Sequence, residues 1–527
     1  MKRLHYFFCF AALVAAVSCS RSSLDLTPGR FDDGAGVEHD LIVLGEKLED
    51  PYTVENMTKA LQVLYPTKAN VVQLSPTDIY VRLLPRNDED LTLLEEMGVQ
   101  MLDHPLDYKI VKEGDYYHDS DIPEEDITWQ YAVVPPDFLA PDWIECELLD
   151  ECFIPGEHST KSSPDWIDWD AVERTAFELT GNAGLLAPAT KAESKAEYPA
   201  GRITIVDTDY DIHPIGLKGV KVTCNVFVKF ARTFTDEEGY YEMEKSFTSD
   251  PRYRIEFTNR KGFSQGINLI MVKGSISTLG KHSAKGYSLC ITKNSDAKLW
   301  RRAVINNAVF DYYENCVSNG VKIATPPANL RIWSCQLLEG SAAPMLQQGP
   351  VLDMDVFQSV LGEYLPIIRM FLPDLILGLK NKDSYAAIYR NVMHEIAHAS
   401  HFMRVGSPYW DNLIKHMAMS YVTSGGITYG IGNEDYAGYC EVAEMWAYYI
   451  ENLLYRERYG EIDKYYGDKY WFSPQIFTYL DERGMNRFKI FVALTSDVHS
   501  CDALKSRLLS LYPESKSMIN EAFNKYL

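Results

Sequence analysis

Apolar residues follow two different spacings along the chain, and each spacing predicts one kind of secondary structure. Between residues 201 and 263 they alternate with polar residues in several short runs, separated by turns such as the one at 236–239. Alternation of this kind is typical of strands that bury one face, so we predict a small β-sandwich there. From residue 266 onward apolar residues mostly recur every three or four positions, which predicts a mainly helical region.

Helical and strand-like patterns are mixed before residue 155 and predict an α+β domain. "PYTVENMTKALQVLY" has a capping-type Thr53 ahead of helical spacing, and "TDIYVRLLP" alternates until Pro85. A chain of 527 residues is too long for one hydrophobic core, so we expect a multidomain protein. The predicted divisions are a signal at 1–19, a tether at 20–36, the α+β domain at 37–155, a linker region at 156–200, the β-sandwich at 201–265 and a helical domain at 266–527.

The first 19 residues carry the features of a secretory signal. Lys2 and Arg3 precede an apolar run that is too short to span a bilayer, and small residues follow it. The ending Ala-Val-Ser-Cys at 16–19 resembles the lipobox of bacterial lipoproteins. This resemblance implies acylation of Cys19 and an anchor in the outer membrane of a Gram-negative bacterium, with the body facing the periplasm or the cell surface. The alternative is a plain secretion signal cut near Ser20.

Composition and charge exclude some classes of function. Hydrophobic residues make up 46% of the chain and charged residues 24%, which is ordinary for a globular protein. The net charge of −23 argues against a nucleic-acid partner, because phosphate binding requires a basic surface. The cysteines after Cys19 form no CxxC pair, so we expect no structural zinc ribbon, and their spacing does not define disulfide pairs.

The stretch "DSYAAIYRNVMHEIAHASHFMRVGSP", residues 383–408, predicts one well-bounded helix. Asp383 or Ser384 can cap its start, while Gly406 and Pro408 can end it.

This helix carries the sequence HEIAH. His394 and His398 lie one turn apart, so both rings can reach a single ion. In zinc hydrolases with HExxH the glutamate, here Glu395, is the general base beside a zinc-bound water. The alternative is an ordinary polar face of an amphipathic helix. A third ligand elsewhere in the chain would favour the metal site.

Two regions offer a third ligand. Close to the motif, Arg404 occupies the position where a metzincin has histidine. His401, three residues after His398, is an alternative ligand, although we expect it beside the site or on the surface. A second helical pattern at 432–460 contains Glu444 and, three residues earlier, Glu441. We prefer Glu444 as the ligand. The other glutamate is then expected to accept a hydrogen bond from a ligating histidine.

HExxH followed by a glutamate on a second helix resembles the gluzincins, which include thermolysin-like and aminopeptidase-like zinc peptidases. "EMWAYY", which begins at Glu444, resembles the ligand helix of the aminopeptidase group and of the anthrax lethal-factor-like peptidases. The resemblance covers about residues 384–456 and implies a zincin-like catalytic domain. It implies that His394, His398 and Glu444 bind Zn²⁺ and that protein or peptide substrates are cleaved. No exopeptidase signature is apparent, so we expect an endopeptidase.

Two further resemblances complete the prediction. Gluzincins often use a tyrosine to stabilise the oxyanion, and Tyr436 resembles that residue in lethal-factor-like enzymes, with Tyr439 and Tyr429 as alternatives. "LKGVKV", "TDEEGYYEM" and "YRIEF" resemble the carboxypeptidase-regulatory-like, or transthyretin-like, domain. That resemblance implies an accessory β-sandwich, and we interpret it as a spacer.

Other functions remain open at the level of sequence. The chain fits a non-catalytic binding lipoprotein whose accessory domains engage a surface partner, or a protein that holds zinc without cleaving peptides. No GxSxG, GxxxxGK[ST] or GxGxxG motif offers competing chemistry. HEIAH together with Glu444 favours the enzyme.

Overall fold

The protein is a multi-sheet α+β protein, as described by a computed structural model. The predicted signal segment, Cys19 and the tether at 20–36 lie outside the described residues. No helix within the described ranges is long and apolar enough to cross a membrane. The structure describes residues 42–67, 72–114, 117–123, 126–156, 164–187, 195–266, 274–318, 322–336, 338–349, 373–424, 428–460, 467 and 470–527.

The described residues form 11 α-helices and 17 strands in four sheets. The helices are α1 Val54–Leu64, α2 Asp88–Glu96, α3 Trp169–Leu179, α4 Ala297–Val317, α5 Tyr385–Val405, α6 Ser407–Ser424, α7 Ala437–Tyr459, α8 Gln475–Asp481, α9 Arg487–Ala493, α10 Cys501–Leu511 and α11 Lys516–Tyr526. The strands are β1 Val43–Lys47, β2 Asp78–Leu84, β3 Met101–Leu102, β4 Tyr108–Lys112, β5 Gln130–Val134, β6 Glu145–Cys152, β7 Ala200–Asp207, β8 Asp211–Gly216, β9 Val220–Val226, β10 Lys229–Phe234, β11 Tyr240–Glu242, β12 Arg252–Asn259, β13 Ser264–Gln265, β14 Ile276–Lys281, β15 Leu289–Ile291, β16 Arg331–Cys335 and β17 Leu375–Gly378.

Two sheets form before residue 155, and the local patterns predicted there are confirmed. Thr53 caps α1 by accepting a hydrogen bond from the Asn56 N–H, and β2 ends at Leu84, just before Pro85. The larger sheet is antiparallel, with strand order β3-β5-β2-β6, and α2 precedes its edge strand β3. The smaller sheet pairs β1 with β4.

The strands predicted between 201 and 263 are present and belong to two sheets. One sheet has the order β11-β7-β15, with β8 also pairing with β7. The other sheet contains β10, β9, β12 and β14 side by side. Their buried faces share one hydrophobic core, which includes Ile203, Val222 and Tyr253. Strands β14 and β15 complete these sheets from beyond the predicted boundary at 265.

The second of these sheets continues into the mainly helical region. Its strand order runs through β12 and β13 to β16 and β17, and the last two pairings are parallel. Helix α4 and strand β16 both belong to this region. Helix α5 packs against α4, α7 and β17, and therefore lies at the centre of this region.

The predicted linker region at 156–200 contains helix α3, which makes a buried contact rather than an open connection. Glu173 of α3 pairs with Lys229 of β10 at 2.8 Å, and it also accepts a hydrogen bond from the Tyr52 hydroxyl at 2.7 Å. These bonds join the segment before residue 155 to strand β10. Residues 157–163 and 188–194 of the predicted linker lie outside the described residues.

Candidate metal centre

Helix α5 forms where its sequence predicts it and presents two histidines one turn apart. Ser384 caps the helix by accepting a hydrogen bond from the Ala387 N–H. Gly406 ends it with a φ of 80°, a left-handed value that residues with a Cβ rarely adopt. His394 and His398 are 5% and 2% exposed, so both rings lie in the interior.

Helix α7 brings the third group from a distant part of the chain. It packs on α5, and the Trp446 indole N–H donates a hydrogen bond to the Ala397 carbonyl at 3.2 Å across that contact. This packing fixes Glu444, which is fully buried, beside the two histidines.

The three side chains converge on one point. Their ligand atoms all lie within 4.8 Å of one another. Nε2 of His394 is 3.4 Å from Oε2 of Glu444, and Nε2 of His398 is 3.4 Å from Oε1 of the same carboxylate. A buried group of two imidazoles and one carboxylate at this spacing could hold a metal ion.

The electrostatics of this group favour a cation at its centre. Burial works to lower the pKa of His394, but hydrogen bonds to Glu444 and Glu451 raise it well above the usual value. Burial disfavours the charged form of Glu444, yet His398 and His394 hold the pKa of that carboxyl well below its usual range. The buried carboxylates of Glu444 and Glu451 are therefore stabilised by positive charge beside them. A metal ion supplies it while binding all three side chains at once.

Glu395 lies beside the group without belonging to it. The side chain is 1% exposed, and Oε2 has no hydrogen-bond partner within the described ranges. Burial, opposed by the nearby His394, raises the pKa of Glu395 to about 8. A buried carboxylate oxygen without a partner is costly, which points to a ligand or water as its missing contact.

Sequence reasoning missed Glu451, which orients one of the histidines. Oε2 of Glu451 is 2.9 Å from Nδ1 of His394, and Oε1 accepts a hydrogen bond from Nε of Arg390 at 2.5 Å. Arg390 also donates to Asn452. Glu451 follows Glu444 by seven residues, two helical turns, so the spacing on a predicted helix could have indicated it.

The two side chains considered as alternative or supporting residues have other contacts. Oε2 of Glu441 accepts a hydrogen bond from the Cys501 N–H at 2.9 Å, at the first turn of α10. His401 is fully buried against the rings of Tyr409 and Trp410, and burial lowers its pKa to about 3. Glu441 therefore supports a helix start. His401 is a neutral ring packed among aromatic side chains.

Of the three tyrosines considered for the oxyanion, one contacts Glu444 and the other two have different partners. The Tyr429 hydroxyl donates a hydrogen bond to Oε2 of Glu444 at 3.2 Å and lies 3.4 Å from the Tyr448 hydroxyl. Tyr436 is 39% exposed, and Lys415 lies over its ring at 5.3 Å. Tyr439 stacks on His499. Tyr429 is thus the predicted tyrosine that contacts Glu444.

The residues present fit a zinc ion. Two imidazole nitrogens and a carboxylate are a donor set that catalytic zinc sites use, with a further position left for water or substrate. The unpartnered oxygen of Glu395 lies next to that set in the sequence and in the fold. The Glu451 carboxylate supplies the hydrogen bond that ligating histidines usually make through their second ring nitrogen.

Comparisons of the chain with protein-family models, with curated proteins and with solved structures find no match. The side chains that the fold brings together are therefore the basis for inferring what the protein does.

Proposed function

We propose that this protein is a zinc-dependent metallopeptidase that cleaves peptide bonds in protein or peptide substrates. The observation that supports it is the buried group of His394, His398 and Glu444, with the carboxylate of Glu395 beside it. A non-catalytic scaffold would have no evident reason to bury four titratable side chains together, because each charge costs free energy to remove from water.

Each side chain has a distinct part in this proposal. His394, His398 and Glu444 would hold Zn²⁺, which supplies Lewis acidity toward a substrate carbonyl and a water molecule. Glu395 accepts a proton from the attacking water and returns it to the leaving amine. Glu451 holds His394 in the ring orientation that directs Nε2 toward Glu444.

Tyr429 is the favoured hydrogen-bond donor to the oxyanion of the tetrahedral intermediate. Its hydroxyl lies at Glu444, and its carbonyl oxygen accepts a hydrogen bond from the Trp471 indole at 3.0 Å, which fixes the residue in place. Tyr436 was expected in this role from the sequence. Its exposure and its contact with Lys415 make it the weaker candidate.

Attachment to a membrane through Cys19 belongs to the same proposal. The lipobox-like ending at 16–19 supports an outer-membrane lipoprotein whose substrates lie in the periplasm or at the cell surface. An endopeptidase is favoured because the sequence offers no group recognisable as a binder of a substrate amino terminus.

The direct test is the zinc content of the full-length protein and of its Glu444→Gln and Glu441→Gln variants. We expect about one zinc ion per chain in the wild type and in Glu441→Gln, and loss of zinc in Glu444→Gln. A wild-type protein that stays metal-free when supplied with zinc would contradict the proposal.

A second measurement separates peptide hydrolysis from mere zinc binding. The zinc-loaded protein is screened against a peptide library beside its Glu395→Gln variant. We expect cleavage by the wild type, and retained zinc without cleavage in Glu395→Gln. Equal cleavage by both proteins would exclude Glu395 as the base.

A further inference from the structure

The turn between β7 and β8 of the sandwich reaches the start of helix α5. Oδ2 of Asp209 accepts a hydrogen bond from the Ala386 N–H at 3.0 Å. Ala386 lies in the first turn of α5, where backbone N–H groups have no partner within the helix. A carboxylate at this end also interacts favourably with the helix dipole. The sandwich therefore binds the helix that carries both histidines.

The same turn reaches the end of helix α7. Asp207 is 1% exposed, and its Oδ2 accepts hydrogen bonds from Nη2 of Arg458 at 2.8 Å and from the Tyr459 hydroxyl at 3.0 Å. Arg458 and Tyr459 are the last two residues of α7. Two aspartates separated by a single residue thus hold one end of each ligand-bearing helix.

Arg458 ties these ends together. Its guanidinium lies 5.1 Å from the ring centres of both Tyr385 and Tyr389 on α5. It also pairs with Asp311 of α4 at 3.4 Å. A planar guanidinium can place its face against aromatic rings while its N–H groups bond carboxylates. The brace formed by Asp207, Asp209 and Arg458 therefore fixes how α5 lies along α7.

That relative position determines the geometry of the metal group. His394 and His398 come from α5, whereas Glu444 comes from α7, so sliding one helix along the other separates the ligands. Further along the same helix pair, Arg390 bonds Glu451, which orients His394. The brace and the ligands thus belong to one helix–helix contact.

We propose that Asp207 and Asp209 are positioning residues for the metal centre, so that the sandwich is a working part of that centre rather than a spacer. This inference rests on the proposed zinc site. It extends that proposal by assigning a function to a domain whose sequence pattern indicated only an accessory fold.

The test measures zinc affinity in full-length variants by competition with a chromophoric chelator, together with the visible absorption spectrum of the Co²⁺-substituted protein. Asp209→Ala and Asp207→Asn are expected to raise the zinc dissociation constant about tenfold or more and to alter the cobalt spectrum. Asp209→Asn keeps an acceptor oxygen for the Ala386 N–H. Its zinc dissociation constant and its cobalt spectrum are therefore expected to lie closer to those of the wild type than to those of Asp209→Ala.

A matched control separates positioning from general destabilisation. Tyr241→Phe removes a partly buried hydrogen bond, in which the Tyr241 hydroxyl of β11 donates to the Tyr287 carbonyl of the same sandwich. It is expected to lower the melting temperature while leaving zinc affinity and the cobalt spectrum unchanged. If Asp207→Asn fails to fold, the Asp209 variants still test the proposal, because Asp209 is exposed.

The outcomes distinguish the two proposals. Unchanged zinc affinity in Asp209→Ala and Asp207→Asn, or an equal loss in Tyr241→Phe, overturns the positioning role and leaves the zinc site intact. A wild-type protein that binds no zinc overturns the proposed function, and the positioning role with it.

Discussion

Glu451 lies 2.9 Å from Nδ1 of His394, on the side of the imidazole opposite the nitrogen that faces Glu444. Because carboxylates accept hydrogen bonds, this contact places a proton on Nδ1, and Nε2 is the nitrogen that faces the centre of the group. Arg390 holds the carboxylate from its other oxygen. The orientation of His394 is therefore set by two residues outside the HExxH motif.

We expect Glu451→Gln to weaken zinc binding by about 10- to 100-fold, because the neutral amide supports the ligating ring less strongly. Chelator competition at constant pH measures the change. Glu457→Gln is the control: it lies further along α7 and pairs with Arg487. Equal affinity in the wild type and in Glu451→Gln would show that the carboxylate is dispensable.

Replacing Tyr429 by Phe should leave zinc content unchanged and lower the rate of peptide cleavage by about a hundredfold or more, because one oxyanion donor is lost. The rate is measured with a peptide found in the library screen. Tyr436→Phe serves as the comparison and is expected to cleave at the wild-type rate. The reverse ranking of the two variants would return the role to Tyr436.

Removing only one partner of the buried Lys229–Glu173 ion pair should lower the stability of the protein strongly. Lys229→Met leaves a carboxylate that is 1% exposed without its cation, which we expect to lower the free energy of unfolding by about 3–5 kcal/mol. Urea unfolding measures the change. The double variant with Glu173→Gln should recover part of the loss, since no charge then remains.

The exposed pair of Lys59 with Glu55 provides the control for that experiment. Lys59→Met is expected to change stability little, because solvent screens exposed charges. A comparable loss in Lys59→Met and Lys229→Met would indicate that burial of the pair is not the cause.

His104 should make the folded protein sensitive to acid. Its Nδ1 lies 3.0 Å from the Pro105 carbonyl and its Nε2 3.3 Å from Nη2 of Arg254, so Nε2 must accept and the ring is neutral. Burial, reinforced by the charge of Arg254, lowers the pKa of His104 to about 3. The unfolded chain has a histidine pKa of about 6.5 and therefore takes up a proton first on acidification.

The contribution of His104 to the free energy of unfolding is thus fully present above pH ~6.5. It is lost as the pH falls toward 3, at up to about 1.4 kcal/mol per pH unit. The stability difference between the wild type and His104→Gln, taken from urea unfolding at several pH values, should follow this slope. His118→Gln, which removes a histidine bonded at the surface, is measured beside it for comparison. A pH-independent difference for His104→Gln would contradict the assignment.

The sequence alone determined the local part of the site. Ser384 and Gly406 bound α5 as their capping chemistry requires, and the helical period places His394 and His398 on one face. Alternating residues likewise marked the strands between residues 201 and 263. These features depend on neighbours within about one or two turns, so the spacing of residues along the chain suffices to predict them.

Only the tertiary structure decided which distant groups meet. Glu444 and Glu441 are one turn apart on α7, and the packing of that helix turns Glu444 toward the histidines and Glu441 toward the start of α10. The hydrogen bond of Tyr429 to Glu444 and the contact of Asp209 with α5 depend on the same packing. Periodicity fixes the face of a helix on which a residue lies. Which helix or strand packs against that face depends on how the whole chain buries its apolar surface.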